Sequence, residues 1–190
     1  RLTDNPALHH ALAGYERVIP LYIHAPQEST PWPPGAASRW WLHHSLAALD
    51  KSLHERGSRL ILHHGPSLKT LLTLIKASNA EAVLWNRLYE PAHLERDKTI
   101  GKALKEHGIK AESFDAGLLF EPWQVVKENG EPYRVFTPFW KACQKRGLPQ
   151  AMHDAAEVFP PVSRKITSEK LSAFDLLPAI KWDTGLKQTW

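Results

Sequence analysis

The chain has 190 residues, of which 43% are hydrophobic and 23% are charged, proportions typical of a folded globular protein and not of a disordered one. Its formal net charge of +4 at pH 7 permits an anionic partner but does not demand one, because the basic residues are scattered. No apolar run is long enough to cross a bilayer, and no segment resembles a signal peptide. The single cysteine, Cys143, excludes an internal disulfide, so we expect a cytoplasmic protein with no membrane contact.

The first predicted element is a helix. Asp4 is a good N-cap, Pro6 suits the first turn, and apolar residues recur at helical spacing over residues 7–12. Downstream, strands and helices alternate, and chains of that kind normally lead with a strand. We therefore predict a further strand ahead of Arg1 that this sequence does not include.

Four short apolar runs are predicted as strands, at residues 17–23, 59–63, 82–86 and 109–114. A long helix separates the first two; it is predicted to start at Ser38, to end before Gly57, and to carry Trp41 and Leu53 on one apolar stripe. Further helices are predicted after Ser67 and around residues 93–107. This alternation predicts a doubly wound parallel sheet of five strands with helices on both faces, of which the first strand is the missing one.

From Ala116 onward the alternation stops. Residues 121–123 and the Asn-Gly pair at 129–130 predict a loop and a small hairpin. A short helix is predicted from Thr137 to about Gly147, and residues 148–190, rich in proline and polar residues, are predicted to be a linker. We therefore predict an α/β domain at 1–147 and an interdomain linker at 148–190.

Familiar catalytic motifs are absent. The sequence has no Gly-rich phosphate loop, no Gly-x-Ser-x-Gly elbow and no Cys-x-x-Cys pair. An unrelated nucleotide-binding hydrolase or transferase is therefore disfavoured, since its one candidate phosphate turn, Gly65-Pro66, is a poor one. Histidines occur as neighbours at 9–10, 43–44 and 63–64. Neighbouring side chains point apart on a helix or a strand, so we expect no metal site.

Ligands of open parallel sheets bind at the carboxyl ends of the strands. The loops predicted there carry six candidate binding residues: His24, Ala25, Asn86, Arg87, Tyr89 and Glu90. Asn86 and Glu90 offer hydrogen bonds to the edge of a ring, Arg87 suits an anion, and Tyr89 offers a stacking face. The alternative is that these polar residues only begin the following helix, whose first turn favours Glu90 and Pro91. Both interpretations stay open.

Several segments in series resemble the amino-terminal α/β domain of the DNA photolyase/cryptochrome family. They are residues 1–8 (RLTDNPAL), 38–42 (SRWWL), 85–91 (WNRLYEP) with Arg96-Asp97, 114–119 (FDAGLL) and 133–141 (YRVFTPFWK). Their order and spacing follow the family through about the whole chain. The resemblance implies that the missing strand lies in the middle of the sheet, and that residues 182–190 lead into a helical domain outside this sequence.

The resemblance also implies a function for the parent protein, the light-driven repair of cyclobutane pyrimidine dimers in DNA. An antenna pigment in this domain would pass excitation to reduced FAD, which would donate an electron to the lesion. FAD and most of the contact with damaged DNA then belong to the absent domain, so this fragment carries no catalytic residue, and we expect the full-length protein to be monomeric. The six candidate residues become candidates for holding the antenna pigment. A cryptochrome, which signals through partner proteins without repair, has the same domains and stays the alternative.

The identity of the pigment depends on two positions. Family members that use folate carry Asn and Glu where this sequence has Ala92 and His93. Loss of that carboxylate removes an acceptor for the pterin ring, so the resemblance disfavours folate. A deazaflavin, a flavin or no antenna pigment stay open.

One further segment has an implied role. The resemblance places Phe136, Phe139, Trp140 and Lys141 against the absent helical domain. The alternative is a helix start that is buried within its own domain, and the two interpretations are compatible.

Overall fold

In the computed structural model, residues 1–28, 33–147 and 154–189 are described. Within them the elements, in chain order, are α1 Pro6–Gly14, β1 Leu21–His24, α2 Ala36–His54, β2 Ile61–His64, α3 Ser67–Ser78, β3 Ala82–Asn86, α4 Pro91–Glu106, β4 Lys110–Phe114, α5 Phe136–Arg146 and α6 Thr184–Thr189. Short 3-10 turns lie at Pro26–Glu28 and Leu171–Phe174. The predicted alternation of strands and helices is therefore confirmed.

The four strands form two parallel pairs. β1 lies beside β2, with Leu21 opposite Ile61, and β3 lies beside β4, with Ala82 opposite Lys110. Among the described residues no hydrogen-bonded ladder joins β1 to β3. Parallel pairs linked through helices are the arrangement of an α/β fold, as predicted.

A cavity of about 1160 Å³ lies between the two strand pairs. It is lined by Leu21 and Ile23 of β1, by Val83 and Trp85 of β3, and by residues of α1, α3 and α4. As a result β1 and β3 are only half-buried along their whole length, whereas the strands of a parallel sheet are normally covered. The predicted fifth, central strand concerns this cavity and stays a prediction.

Helices cover both faces of the β1–β2 pair. Successive side chains of a strand point to opposite faces, so neighbouring residues here pack against different helices. Leu60 and Leu62 face a core cluster with Leu46 and Leu53 of α2. Ile61, between them, is fully buried in a second cluster that includes Leu74 of α3, Val162 and Ile166. The prediction of helices on both faces is confirmed.

The start of α1 differs from the prediction. Asn5, not Asp4, is the N-cap, and its side chain accepts a hydrogen bond from the backbone N–H of Leu8. Asp4 has a φ of 48°, in the left-handed region that Asp tolerates better than most residues. Asp4 therefore turns the chain into the cap position, and Asn5 satisfies the helix.

The start and the apolar stripe of α2 also differ from the prediction. The helix begins at Ala36 after Gly35, so Ser38 lies inside its first turn and does not cap it. Leu53 is 1% exposed, as the stripe predicts, but Trp41 is 58% exposed. Trp41 thus lies off the buried face.

Three strands begin later than predicted, and β4 does so by one residue, at Lys110. The first begins at Leu21 and not at residue 17, directly after Pro20. Pro20 has no backbone N–H to donate, although its carbonyl accepts from Ile61 at 2.8 Å. β2 likewise begins at Ile61, whereas the strand at 82–86 has the predicted bounds.

The carboxyl-terminal part packs against the α/β layers. The hairpin predicted at 129–130 is present as one antiparallel bridge between Val126 and Pro132, with Gly130 at a φ of 80°. Residues 154–176, here called the strap, bury Phe159 and Phe174 in the core. The predicted division at residue 147 stays a prediction, and its first linker residues, 148–153, lie outside the described part of the chain.

The strap also covers the outer edge of β2. The backbone N–H of Glu169 donates to the carbonyl of Leu62 at 2.8 Å, and the N–H of Leu62 donates to Ser168 Oγ at 2.9 Å. Covering an edge in this way prevents the strand from pairing with another chain. In the described ranges no helix is both long and apolar enough to pass through a bilayer.

Candidate functional site

The candidate binding residues lie at the carboxyl ends of β1 and β3, as predicted. β1 ends at His24 and β3 ends at Asn86. α4, which follows β3, contacts the turn Pro26–Glu28 that follows β1. The structure therefore brings the two predicted loops to the same edge of the fold, where parallel α/β sheets bind ligands.

Asn86 supports the frame of the site. Its Oδ1 accepts from the backbone N–H of Ala7 at 3.2 Å, and its Nδ2 donates to Asn5 Oδ1 at 2.7 Å. Asn86 thus satisfies one of the free N–H groups at the start of α1. Both polar atoms of this amide are engaged within the protein.

Arg87 is the centre of a polar network. Its guanidinium donates to the carbonyl of Ser113 at 2.8 Å and to Ser113 Oγ at 2.9 Å, and it forms an ion pair with Glu121. Its Cζ lies 5.4 Å from the centre of the Trp123 ring, within cation–π distance. Because these contacts come from β4 and the loop after it, Arg87 fixes that loop on the strand ends.

Tyr89 joins the same network. Its hydroxyl lies 2.8 Å from Glu121 Oε1 and 3.2 Å from Asp115 Oδ1. Burial, and next the charge of Asp115, raise the pKa of Tyr89, so the phenol keeps its proton and donates it. Asp115 is itself held by the backbone N–H groups of Gly117 and Leu118, each at 3.3 Å.

We call this set the arginine cluster: Arg87, Tyr89, Asp115, Glu121 and Trp123. Its charged groups contact one another, whereas the Trp123 ring is 56% exposed. The cluster therefore offers a ligand the face of an indole, while the carboxylates of Asp115 and Glu121 are engaged within the protein. Such a surface suits the stacking of a planar ring.

Glu90 lies beside this cluster and points into solvent. It precedes α4 without capping it through its side chain, and its carboxylate is 3.4 Å from His93 Nδ1. A backbone N–H of its own residue, and next the hydrogen bond from His93, lower the pKa of Glu90. Glu90 is therefore an ionised acceptor at the rim of the site.

His24 lies in a second group, the histidine cluster, at the ends of β1 and β2. The members are Tyr22, His24, His64, Glu169 and Phe174. The His24 ring stacks on Phe174 at 5.0 Å and lies 5.3 Å from the ring of His64. Burial, and next the charge of His64, lower the pKa of His24. Ala25 is half-buried directly after it.

Sequence reasoning missed most partners of these residues. Asp115, Glu121 and Trp123 follow β4, and Glu169 and Phe174 come from the strap. Glu121 is only 9% exposed, although it lies in a loop with no apolar periodicity. The one available signal was the run 114–119, whose Asp115 directly follows a predicted strand.

The aromatic residues of α5 lie outside both clusters. Phe136 is 71% exposed and Trp140 is 45% exposed, and their rings stack at 6.2 Å. Phe139 is half-buried against Tyr133 at 6.3 Å, and Lys141 is exposed. Cys143, near the end of this helix, is buried.

Comparison with known proteins identifies the family. The sequence profile described as DNA photolyase matches residues 1–163. The chain is 40% identical over 191 aligned positions to the deoxyribodipyrimidine photo-lyase of Agrobacterium fabrum, with 100% of this chain and 39% of that protein covered. It is also 40% identical over 156 positions to Cryptochrome-2 of Arabidopsis thaliana, covering 80% of this chain and 25% of that protein.

A solved structure agrees with this. The crystal structure of a bacterial class III photolyase from Agrobacterium tumefaciens superposes with a TM-score of 0.90 at 39% identity, covering 100% of this chain and 39% of that one. The chain thus spans well under half the length of these relatives. Because the family profile covers most of its residues, the chain belongs to the DNA photolyase family.

Proposed function

We propose that this chain is the antenna domain of a deoxyribodipyrimidine photolyase. The observation that carries the proposal is the arginine cluster, which presents an exposed indole at the carboxyl edge of a photolyase-family α/β fold. When bound there, a pigment would absorb light and pass its excitation to reduced FAD elsewhere in the parent protein, and that FAD would donate an electron to a pyrimidine dimer. The chain's own task is to bind and orient the pigment.

The residues divide this task. Trp123 offers a stacking face, and the exposed Glu90 offers acceptors for ring N–H donors. Arg87 and Tyr89 hold Glu121 and the Trp123 loop in place, as their hydrogen bonds indicate. Such fixed geometry is what the protein supplies to a cofactor whose chemistry is its own.

We propose the other candidate residues in supporting roles. Asn86 secures α1 beneath the site, while His24 and Ala25 border the same edge from β1. The pigment is a deazaflavin or a flavin in preference to folate, because Ala92 and His93 replace the amide and carboxylate of folate-using members. His93 moreover engages Glu90 at 3.4 Å, so this position supplies a donor where folate requires an acceptor.

We also propose how this chain is joined to the rest of the parent protein. Residues 1–147 form the antenna domain and residues 148–190 the linker to a helical domain that holds FAD and contacts damaged DNA. The stacked Phe136 and Trp140, with Phe139 and Lys141, contact that domain, since large exposed apolar side chains on one helix mark an interaction surface. The full-length protein acts as a monomer in the cytoplasm, consistent with the unpaired, buried Cys143.

A cryptochrome is the second candidate function, and it is supported by the 40% identity to Cryptochrome-2. The two candidates differ in repair activity. We expect the full-length protein to show flavin absorption with an additional near-ultraviolet or violet band, and to restore dimer-containing DNA only under light. Flavin absorption without light-dependent repair would favour the signalling function, and absence of any flavin would reject both.

The antenna site is tested by Trp123→Ala in the full-length protein. Loss of the stacking face should weaken pigment binding about tenfold, while FAD content and repair under direct FAD excitation persist. Trp41→Ala, which removes another exposed indole, is the matched control and should keep full pigment occupancy. Full occupancy in both variants would place the pigment elsewhere.

A further inference from the structure

The residues around α6 combine exposed apolar side chains with one buried carboxylate. Ile180 is 80% exposed, Trp182 is 41% exposed and Leu186 is 42% exposed, whereas Asp183 is only 3% exposed. A carboxylate is among the side chains that are most costly to bury, so its burial requires a hydrogen-bond donor in a fixed position. An otherwise exposed segment is therefore anchored at Asp183.

Trp40 of α2 provides that donor. Its Nε1–H donates to Asp183 Oδ2 at 2.7 Å, the length of a strong hydrogen bond to a charged acceptor. The Trp40 ring also lies 6.0 Å from the ring of Trp182 and 4.4 Å from that of His44. Trp40, Trp182 and Asp183 together form what we call the tryptophan clamp, which ties the start of α6 to α2.

The clamp fixes a geometry more than it adds stability. An apolar pair at these positions would bury comparable area without the cost of removing a charge from water. The indole, in contrast, has a single N–H donor, so its hydrogen bond to Asp183 forms only where the carboxylate lies in line with that N–H. The clamp thus defines where Trp182 and Asp183, at the start of α6, lie on α2.

The clamp lies near the carboxyl edge that carries the candidate site. A helix that follows a parallel strand begins at that strand's carboxyl end. α2 follows β1 and begins at Ala36, so Trp40 is in its second turn, close to the edge where β1 ends at His24. The start of α6 is therefore anchored on the same side of the fold as the arginine and histidine clusters.

We propose that Trp40 and Asp183 are positioning residues that set the orientation of α6, and of the part of the parent protein that follows it, relative to the pigment. This inference rests on the proposed antenna function. Transfer of excitation between two pigments depends steeply on their distance and relative orientation. A pair that fixes the chain between them consequently sets the transfer rate without touching either pigment.

The test uses Trp40→Phe in the full-length protein, which keeps an aromatic ring and removes the N–H donor. We expect normal pigment and FAD content but a changed rate of excitation transfer, measured from the excited-state lifetime of the pigment. Amide exchange of residues 184–189 should be about tenfold faster, because a hydrogen bond to a charged group is lost. Trp41→Phe on the same helix is the matched control and should change neither measurement.

Two outcomes separate this inference from the proposed function. An unchanged lifetime together with unchanged amide exchange in Trp40→Phe would overturn the positioning role. Faster exchange in a protein that binds no antenna pigment would show that the clamp fixes α6 while rejecting the antenna function. Asp183→Asn, whose amide oxygen still accepts the indole N–H, should retain more of the wild-type exchange protection than Asp183→Leu; equal loss in both would also contradict the role of this hydrogen bond.

Discussion

Glu169 ties the strap to the end of β2 through neighbouring histidines. Its carboxylate accepts from the backbone N–H of His64 at 2.7 Å, lies 2.8 Å from His64 Nδ1, and is 3.6 Å from His63 Nδ1. The hydrogen bond with the His64 ring, and next the one from the His64 backbone, lower the pKa of Glu169. The folded state therefore holds this carboxylate ionised more strongly than the unfolded chain does.

The pH dependence of stability follows from that direction. A carboxyl whose pKa is lowered by folding stabilises the protein above its ordinary pKa, and the contribution is lost as pH falls through the lowered value. Glu169→Gln should therefore flatten the decline in unfolding free energy between about pH 5 and pH 3, measured by urea unfolding. Glu95→Gln, in a pair that is 75% exposed on both sides, should leave the decline unchanged; identical curves for both variants would contradict the role of Glu169.

For single residues, the sequence predicted which side chains lie at the site better than it predicted which side chains they contact. Arg87 and Tyr89 could be selected because they follow a strand that was predicted with correct bounds. Their partner Glu121 could not, since only the folding of the loop after β4 places its carboxylate beside them. Trp41 shows a different error. Helical spacing predicted it on the apolar stripe of α2, but the buried face of this helix does not extend as far as Trp41.

Among the elements, α1 depends on a residue from elsewhere in the chain. Asn86 at the end of β3 bonds both the cap residue Asn5 and the N–H of Ala7. Asn86→Ala should lower the unfolding free energy by about 1–3 kcal/mol, because a half-buried N–H loses its acceptor. Chemical denaturation measures this, with Gln144→Ala as control; that exposed helical amide should change stability by less than about 0.5 kcal/mol. Equal effects would argue against the anchor.

Element types could be predicted from the sequence, and element starts less well. Hydrophobic periodicity decides type, and it placed all four strands and the main helices in order. Starts depend on single backbone conformations, such as the positive φ of Asp4 and the missing N–H of Pro20. These are set by neighbours that a local pattern does not reveal.

The whole molecule is organised around the cavity between the two strand pairs. β1 and β3 each pair on one side and line the cavity on the other. The predicted central strand would pair with both and bury their half-exposed residues. The strand predicted ahead of Arg1 stays a prediction, and the space between the two pairs is where the resemblance would place it.

This prediction can be tested by joining an apolar segment ahead of Arg1 through a short loop, with about five strand residues to match β3 and β4. Pairing of both open edges should raise the melting temperature and protect the amides of β1 and β3 from exchange. A polar segment of equal length is the control. If the two extensions give the same melting temperature and exchange pattern, the cavity does not accept a strand.

Successive residues at β2 face two different core clusters, and this restricts how the length of the strand can change. Leu60 and Leu62 belong to the cluster beneath α2, and Ile61 belongs to the cluster beneath α3. Inserting or deleting a single residue within this strand would send the side chains on one side of the change into the opposite cluster, whereas a two-residue change would keep every side chain on its own face. Length variation in this strand is therefore compatible with both cores only in even steps.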